Sequence, residues 1–154
     1  MEAARPATES DLPAIIDLAA AMRAELAPQR GGDLWAAREA RPGPDAETLA
    51  ALLARDDARV VVGTIDGAVI AFATVELVVL RDGRCLGVIR DLFVDPDARA
   101  VGVGEAIAEI IVAFCTGAGC IGIDAYALPG ARDAKNFFER NGFVARSLTM
   151  HKRL

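Results

Sequence analysis

The 154-residue sequence contains one histidine, one tryptophan, one tyrosine and only three cysteines. Cys85, Cys115 and Cys120 stand in no zinc-binding spacing, and His151 is the one histidine that could join them. The sequence therefore predicts no metal site. Three cysteines cannot all pair within one chain, which favours reduced thiols and a cytoplasmic location.

Basic residues and long apolar runs are also scarce. Lys and Arg total 17 against 22 Asp and Glu, a net charge of −5 that argues against nucleic-acid binding and favours a small or basic substrate. No apolar run approaches the length of a membrane span, and no leader pattern opens the chain, so we expect an intracellular protein that binds no membrane. Length and a hydrophobic content of 53% predict a single globular domain over residues 1–154.

Hydrophobic periodicity and turn residues divide the chain into alternating elements. Asp66-Gly67 and Asp82-Gly83 predict two hairpins, and therefore three consecutive antiparallel strands. A strand, helix, strand order then predicts a parallel pair. The expected strands are 3–8, 59–65, 68–80, 84–94 and 121–128; the expected helices are 10–26, 45–55, 103–117 and 134–140; residues 28–44 are expected to form a mobile loop, and 143–154 an extended tail.

The most informative segment is Leu92 to Gly104, which passes from an apolar strand through a proline-containing turn into a helix start with two glycines. N–H groups at a helix start have no intrahelical partners, and the helix dipole adds positive charge, so this geometry suits a pyrophosphate. Gly102 and Gly104 leave the backbone open to an anion. Arg99 adds a guanidinium, which binds phosphate oxygens well.

Other glycine-rich motifs fit this segment less well. A dinucleotide-binding fingerprint requires Gly or Ala where Ile107 stands, and a P-loop requires a Gly-Lys-Ser/Thr that does not follow. A plain strand-to-helix connection, in which the glycines only turn the chain, remains an alternative.

Two segments together resemble the GCN5-related N-acetyltransferase (GNAT) family. Arg99, Gly102 and Gly104 match its acetyl-CoA signature Arg/Gln-x-x-Gly-x-Gly/Ala. The run from Ala134 to Phe143 is similar to its second signature, Ala-x-x-aromatic-Tyr-Glu-Lys-x-Gly-Phe. The opening from Arg5 to Leu12 also looks like this family's first strand and helix start, so the resemblance covers nearly the whole chain.

The resemblance implies an α/β fold with a central mixed, mostly antiparallel sheet of about six or seven strands, splayed between the fourth and fifth, and about four flanking helices. It implies acetyl-CoA as co-substrate, a small-molecule or peptide amine as acceptor, and a homodimer through the C-terminal strands. Main-chain groups of the fourth strand would bind pantetheine and polarise the thioester. The residues implied to bind the cofactor are Leu92, Phe93, Val94, Arg99, Ala100, Val101, Gly102, Val103, Gly104, Asn136 and Arg140.

Acyl transfer to an amine requires a group that accepts the proton of an ammonium whose pKa is ~10. Asp124 and Tyr126 are predicted to point to one face of an otherwise apolar strand, and they are the first candidates for this role. The exposed end of the strand is an alternative place for Asp124. Glu76 and Asp91 also interrupt apolar strands and rank second, and Asp91 has an alternative role as the ion-pair partner of Arg90 or Arg84.

One departure from the family pattern concerns the proton that the departing thiolate takes up. Phe138 stands where the family usually has a tyrosine, so Tyr126 or solvent would supply the proton, or the thiolate would leave unaided. Ala131 replaces a common asparagine, whose contact Asn136 is expected to take. The function that follows is acetyl or small-acyl transfer from acyl-CoA to a primary amine; the alternatives are an acyl-CoA-binding regulatory module without catalysis and a purely structural domain.

Overall fold

A single mixed sheet organises the chain, and its strands are hydrogen-bonded in sequence order. The computed structural model describes residues 1–99 and 102–154. Within them, the first four strands are antiparallel to their neighbours and the fifth is parallel to the fourth, which confirms the predicted mixed, mostly antiparallel arrangement. The strands are β1 (Glu2–Pro6), β2 (Ala58–Ile65), β3 (Ala68–Val79), β4 (Cys85–Val94) and β5 (Ile123–Asp124).

Helices cover both faces of this sheet. Side chains of α1 and α3 pack against Val60, Val62, Phe72 and Phe93, while α4 and α5 pack on the opposite face. Alternation along each strand supplies both cores, since successive side chains point to opposite faces. The helices are α1 (Leu12–Leu26), α2 (Gly32–Leu34), α3 (Asp45–Leu53), α4 (Val103–Gly117) and α5 (Arg132–Arg140).

The start of α1 is fixed by a reciprocal set of polar contacts. Thr8 precedes a 3-10 turn, Glu9–Asp11, and the carboxylate of Asp11 accepts the backbone N–H of Thr8 at 2.8 Å. Arg5 on β1 donates two hydrogen bonds, of 2.7 and 2.9 Å, to the same carboxylate. These bonds lower the pKa of Asp11 to about 2, the pair with Arg5 being the largest cause. The contacts join the first strand to the first helix.

The described residues contain five strands, not the six or seven that the resemblance implies. The expected strand 121–128 is reduced to the two residues of β5, and residues 141–154 belong to no helix or strand. A strand requires a hydrogen-bonded neighbour, and the chain after Asp124 leaves β4. The C-terminal segment therefore forms no strand pairing with the sheet.

The segment from Pro28 to Pro44, expected to be a mobile loop, contains regular structure. It forms α2 and then a π-helical turn, Trp35–Glu39. With α2, the described chain has five α-helices rather than about four. Arg41 anchors the end of this segment, because its side chain is buried against β4. Because the segment is polar and rich in glycine, its sequence did not indicate that Arg41 would be buried.

Candidate functional site

The sheet opens between β4 and β5. The two strands pair only at Gly87 with Ile123 and at Val88 with Asp124. From Ile89 to Val94, β4 has no strand neighbour on this side among the described residues. The opening starts at an irregularity, since Thr74 of β3 faces Asp91 while Val75 faces Ile89, which leaves Arg90 without a partner. A bulge of this kind bends a strand and ends its regular pairing.

Helix α4 follows β4 along the chain, after the 3-10 turn Pro96–Ala98. Gly102 immediately precedes it with φ of +84°, a backbone conformation that side chains rarely adopt. The N–H groups of the following turn have no acceptor within the helix, and the dipole makes this end positive. Ala100 and Val101, both in the predicted cofactor-binding set, lie outside the described residues. The described part of the loop retains the geometry that an anion site requires.

The second glycine of the motif has a neighbour that the sequence did not indicate. A Cβ atom at Gly104 would lie 2.8 Å from the Phe137 ring of α5. Val103 is also buried, in the core on the α4 side of the sheet. The absence of a side chain at position 104 therefore lets α5 pack closely on α4, and only the backbone of Val103 is available to a ligand.

Arg99 points toward the α1 side of the sheet. Its Nε donates to the Val94 carbonyl at 3.0 Å, its Nη2 lies 2.9 Å from the Glu25 carboxylate, and its guanidinium stacks over Phe93 at 5.2 Å. The structure thus gives Arg99 two protein partners at the end of β4. Leu92 and Val94 pack their side chains toward α4, whereas Phe93 packs toward α1.

Asp124 and Tyr126 come together on the β5 side of the opening. Arg146, from the C-terminal segment, forms two hydrogen bonds with Asp124, one of them of 2.8 Å. These bonds raise the pKa of Arg146, and the nearby Tyr126 adds to the increase. Tyr126 itself is 54% exposed. More than half of Tyr126 is therefore open to solvent, while the carboxylate of Asp124 is occupied by a guanidinium.

Glu76 and Asp91 lie on the α1 and α3 side of the sheet and share no hydrogen bond with that pair among the described residues. Glu76 accepts hydrogen bonds from Arg55 at 2.7 Å and Arg90 at 3.1 Å. Asp91 is only 2% exposed and is paired with Arg41 at 3.0 Å, rather than with Arg90 or Arg84. The four predicted proton acceptors are thus divided into two groups.

Helix α5 presents one aromatic and one polar side. Phe138 is buried and packs its ring 5.2 Å from Phe143 and 5.5 Å from Phe137. Asn136 and Arg140 are exposed, and Arg140 lies 3.4 Å from Glu105 in the first turn of α4. Of the residues predicted on α5, Arg140 is therefore the one that the structure connects to the glycine-bearing helix start.

The model of the acetyltransferase (GNAT) domain family matches residues 56–145, more than half of the chain. The chain belongs to the GNAT acetyltransferase family. No curated protein sequence matches it.

Solved structures of this acetyltransferase family share its fold at low sequence identity. A putative acetyltransferase from Agrobacterium tumefaciens is 21% identical with a TM-score of 0.73, and the match covers 99% of both chains. Glucosamine-6-phosphate N-acetyltransferase from Arabidopsis thaliana is 21% identical with a TM-score of 0.72, covering 99% of this chain and 98% of that one. An aminoglycoside acetyltransferase from an uncultured soil sample, solved with sisomicin, is also 21% identical, with a TM-score of 0.73 and coverage of 99% and 95%. These similarities support the fold.

Three residues of this GNAT chain that contact the predicted site were missed by the sequence reasoning. Arg41 binds Asp91, Glu25 binds Arg99 and Arg146 binds Asp124. Each pair is widely separated in sequence, so spacing carries no signal. A carboxylate within an apolar strand does indicate that a cation lies nearby, because buried charges are paired, but it does not identify the cation.

The three thiols of this GNAT chain form a cluster away from the opening. The sulfur atoms of Cys85 and Cys120 lie 2.9 Å apart, and burial together with the neighbouring thiols raises the pKa of Cys120 to about 12. Residues 1–99 and 102–154 contain no group of three or more metal-ligating side chains. In the same residues, no helix is both long and apolar enough to cross a membrane.

Proposed function

We propose that this protein transfers an acetyl or other small acyl group from acyl-CoA to a primary amine of a small molecule or peptide. The observation that carries the proposal is the opening between β4 and β5, on a strand that the chain continues into a helix start with a left-handed glycine. An extended chain such as pantetheine can continue the unpaired edge of β4 by main-chain hydrogen bonds, while the helix start takes the diphosphate. Membership of the family supports the reaction class.

The residues present fit acetyl-CoA as co-substrate. Gly102 leaves space at the helix start, since the atom nearest to the position of an added Cβ is a carboxylate oxygen of the exposed Glu2 at 3.8 Å, which would have to turn away from a bound diphosphate. Arg140 lies near the same turn of α4 through its contact with Glu105. When bound, acetyl-CoA supplies an activated thioester to the opening. We assign Arg99 to the end of β4, where it braces the Val94 carbonyl, and the phosphate contact predicted for it stays a prediction.

The main chain of β4 would polarise the thioester carbonyl. Leu92, Phe93 and Val94 lie on the strand edge that β5 leaves unpaired, and a fixed N–H group there would stabilise the developing oxyanion. Asp124 and Tyr126 stand on the other side of the opening. We propose that Tyr126, being exposed, exchanges protons with the acceptor amine or the departing thiolate, and that Asp124 and Arg146 hold the chain beside it.

A second candidate is an acyl-CoA-binding module that lacks catalysis. Phe138 supports it, since this residue is buried among aromatic rings and cannot donate a proton. Both candidates predict CoA binding. Only the enzyme predicts thiol release that depends on an added amine.

The test uses purified protein, acetyl-CoA and a panel of primary amines that includes polyamines, amino sugars and peptide N-termini. The proposal predicts amine-dependent release of free thiol, with one acylated amine formed per thiol, and a large loss of rate in Tyr126→Phe at unchanged CoA affinity. Tight CoA binding without thiol release from any amine would favour the binding module. A cytoplasmic location and a homodimer stay predictions of the same proposal.

A further inference from the structure

A buried cluster of charged and polar side chains lies against the face of β4 that carries Phe93. The guanidinium of Arg41 donates from Nε to Oδ2 of Asp91 at 3.0 Å, and its Nη2 lies 3.5 Å from Oδ1. The hydroxyl of Thr74 donates to the same Oδ2. Arg41 is 7% exposed, Asp91 2% and Thr74 fully buried. Both oxygens of Asp91 are thus engaged by side chains of the protein.

The other side of Arg41 is equally well partnered. Its Nη1 donates to Asp45 at 3.0 Å and to Thr48 at 2.7 Å. Arg23 of α1 binds Asp45 and also donates to the backbone carbonyl of Arg41 at 3.1 Å. Burial acts to raise the pKa of Asp45, but the bonds from the two arginines outweigh it and lower this pKa. Two cations and two anions balance within the cluster.

This cluster adjoins the point where the sheet opens. Asp91 directly follows Arg90, the residue without a partner in the pairing of β3 with β4. Glu76 holds the side chain of Arg90 at 3.1 Å and is itself bonded to Arg55. Side-chain bonds from β3 therefore hold the unpaired residue Arg90, through Glu76, and the residue that follows it, Asp91, through Thr74. The backbone of Leu92 to Val94 begins at the next residue.

We infer that Arg41 is a positioning residue for acyl transfer, acting through Asp91 to fix the irregularity of β4 and thus the N–H groups that face the thioester. The inference rests on the proposed function. It also changes the role predicted for Asp91, which becomes a buried anchor rather than a proton acceptor. A base must reach the acceptor amine, whereas Asp91 is enclosed and hydrogen-bonded through both oxygens.

Stability alone does not require such a cluster. Replacing a buried ion pair by apolar residues of similar volume is often neutral or stabilising, because the desolvation penalty disappears with the charges. Orientation is different, since the planar fork of arginine fixes a carboxylate in two directions and neither lysine nor an apolar side chain does so. This difference allows a positioning role to be separated from a structural one.

The experiment compares the parent with two single variants, Arg41→Lys and Asp91→Asn, and with a paired variant that carries both Arg41→Met and Asp91→Leu. The control is Arg84→Met, which breaks an exposed ion pair with Asp82. For each protein, kcat for thiol release, its pH profile, the Kd for CoA and the Tm are measured. Misplacement of reacting groups by ~1 Å can cost about 100-fold in rate. We expect kcat to fall by about 10- to 100-fold in the three cluster variants at nearly unchanged Kd, with the control at the parental rate.

Two results of these kinetic measurements would overturn the inference. The first is parental kcat in the folded paired variant, which would make the cluster purely structural. The second is loss of an ionisation from the pH profile in Asp91→Asn with no effect in Arg41→Lys, which would make Asp91 a proton acceptor.

A readout without substrate separates this inference from the proposed function. Amide hydrogen exchange of residues 89–94 is followed in the unliganded parent and in Arg41→Lys. We expect these amides to exchange faster in the variant than in the parent. Equal exchange rates in the two proteins would contradict the positioning role, and this holds even if the parent neither binds CoA nor releases thiol. Failure of CoA binding with faster exchange would instead refute the proposed function alone.

Discussion

Gly104 shows how one residue can satisfy a motif for a reason other than ligand binding. The sequence predicts that Gly104→Val abolishes CoA binding in an intact fold, because the glycine leaves room for pyrophosphate. The structure fills that room with the ring of Phe137, which would lie 2.8 Å from a Cβ atom. Substitution at position 104 therefore affects the packing of α5 on α4 first.

We expect Gly104→Ala to lower the free energy of unfolding by about 1–3 kcal/mol, the usual cost of overpacking. Urea denaturation checks this value. Replacing the Phe137 ring by the smaller side chain of leucine should recover part of this loss. The double variant, Gly104→Ala with Phe137→Leu, should therefore be less destabilised than the sum of the two single variants predicts. Strictly additive effects of the two substitutions would show that the ring does not limit position 104.

Phe138 occupies the place of the family's tyrosine but not an environment for a hydroxyl. It is 9% exposed and packs between two other phenylalanines. Phe138→Tyr would bury an O–H group without a partner, and we expect it to lower the free energy of unfolding by about 1–3 kcal/mol. The basic limb of the pH profile should not gain an ionisation. A stable Phe138→Tyr variant with a faster rate and a new basic-limb pKa would show that the hydroxyl reaches the thiolate.

At the scale of elements, the contact between β1 and α1 should make stability depend on pH. The folded pKa of Asp11 is about 2, below its ordinary value of 3.8. The stabilisation that the ionised Asp11 contributes is therefore complete above about pH 4, and it is lost as the pH falls from about 4 toward 2. We expect Asp11→Asn to cost about 1–2 kcal/mol at pH 7.

The difference in unfolding free energy between parent and Asp11→Asn, measured at several pH values, isolates this group from the other carboxylates. That difference should shrink across the stated window. A difference that stays constant from pH 7 to pH 2 would contradict the ion pair between Arg5 and Asp11.

The elements that periodicity and turn residues specify were predicted well. Both hairpins, the parallel β5 and helices α1, α3, α4 and α5 lie where the sequence places them, give or take a few residues. The prediction was wrong where tertiary contacts decide. Residues 125–128 continue the mostly apolar run of β5 but have no neighbouring strand. The segment before α3 is held by Arg41, whose partner Asp91 is 50 residues away.

The same distinction applies to the site. Gly102 was identified from its motif because the need for a left-handed conformation is local. The partners of Asp91, Arg99 and Asp124 were not identified, because an ion pair between distant residues follows no fixed spacing in the sequence. The alternatives for Asp91 were neighbours along β4, whereas the cation comes from the segment before α3.

At the scale of the whole molecule, the C-terminal segment leaves large apolar side chains in solvent. Val144, Leu148 and Met150 are 84–88% exposed, and Leu154 is fully exposed. All four are separated by even numbers of residues, so in an extended strand they would lie on one face. With β5 at the edge of the sheet, this pattern supports the homodimer that the resemblance implies.

Light scattering during size-exclusion chromatography tests this dimer. We expect the parent to run as a dimer and Leu148→Ser with Met150→Ser to run as a monomer, because burial of these side chains would be lost. Val79→Ser is the matched control, since Val79 is 77% exposed at the end of β3. A monomeric parent at tens of micromolar would contradict the prediction.

The central claim is that the opening between β4 and β5 and the helix start at Gly102 together bind CoA, and calorimetric titration with CoA tests it most directly. The variant Gly102→Val is compared with Gly119→Val, which has the same left-handed strain at the other end of α4 and no neighbouring atoms within 4 Å. The account predicts that each parent chain binds one CoA. We expect the affinity for CoA to fall about tenfold or more in Gly102→Val, because main-chain hydrogen bonds to a charged group contribute about 1.5–3 kcal/mol, and to stay unchanged in Gly119→Val. No binding by the parent, or equal affinity in the folded Gly102→Val variant, would contradict it.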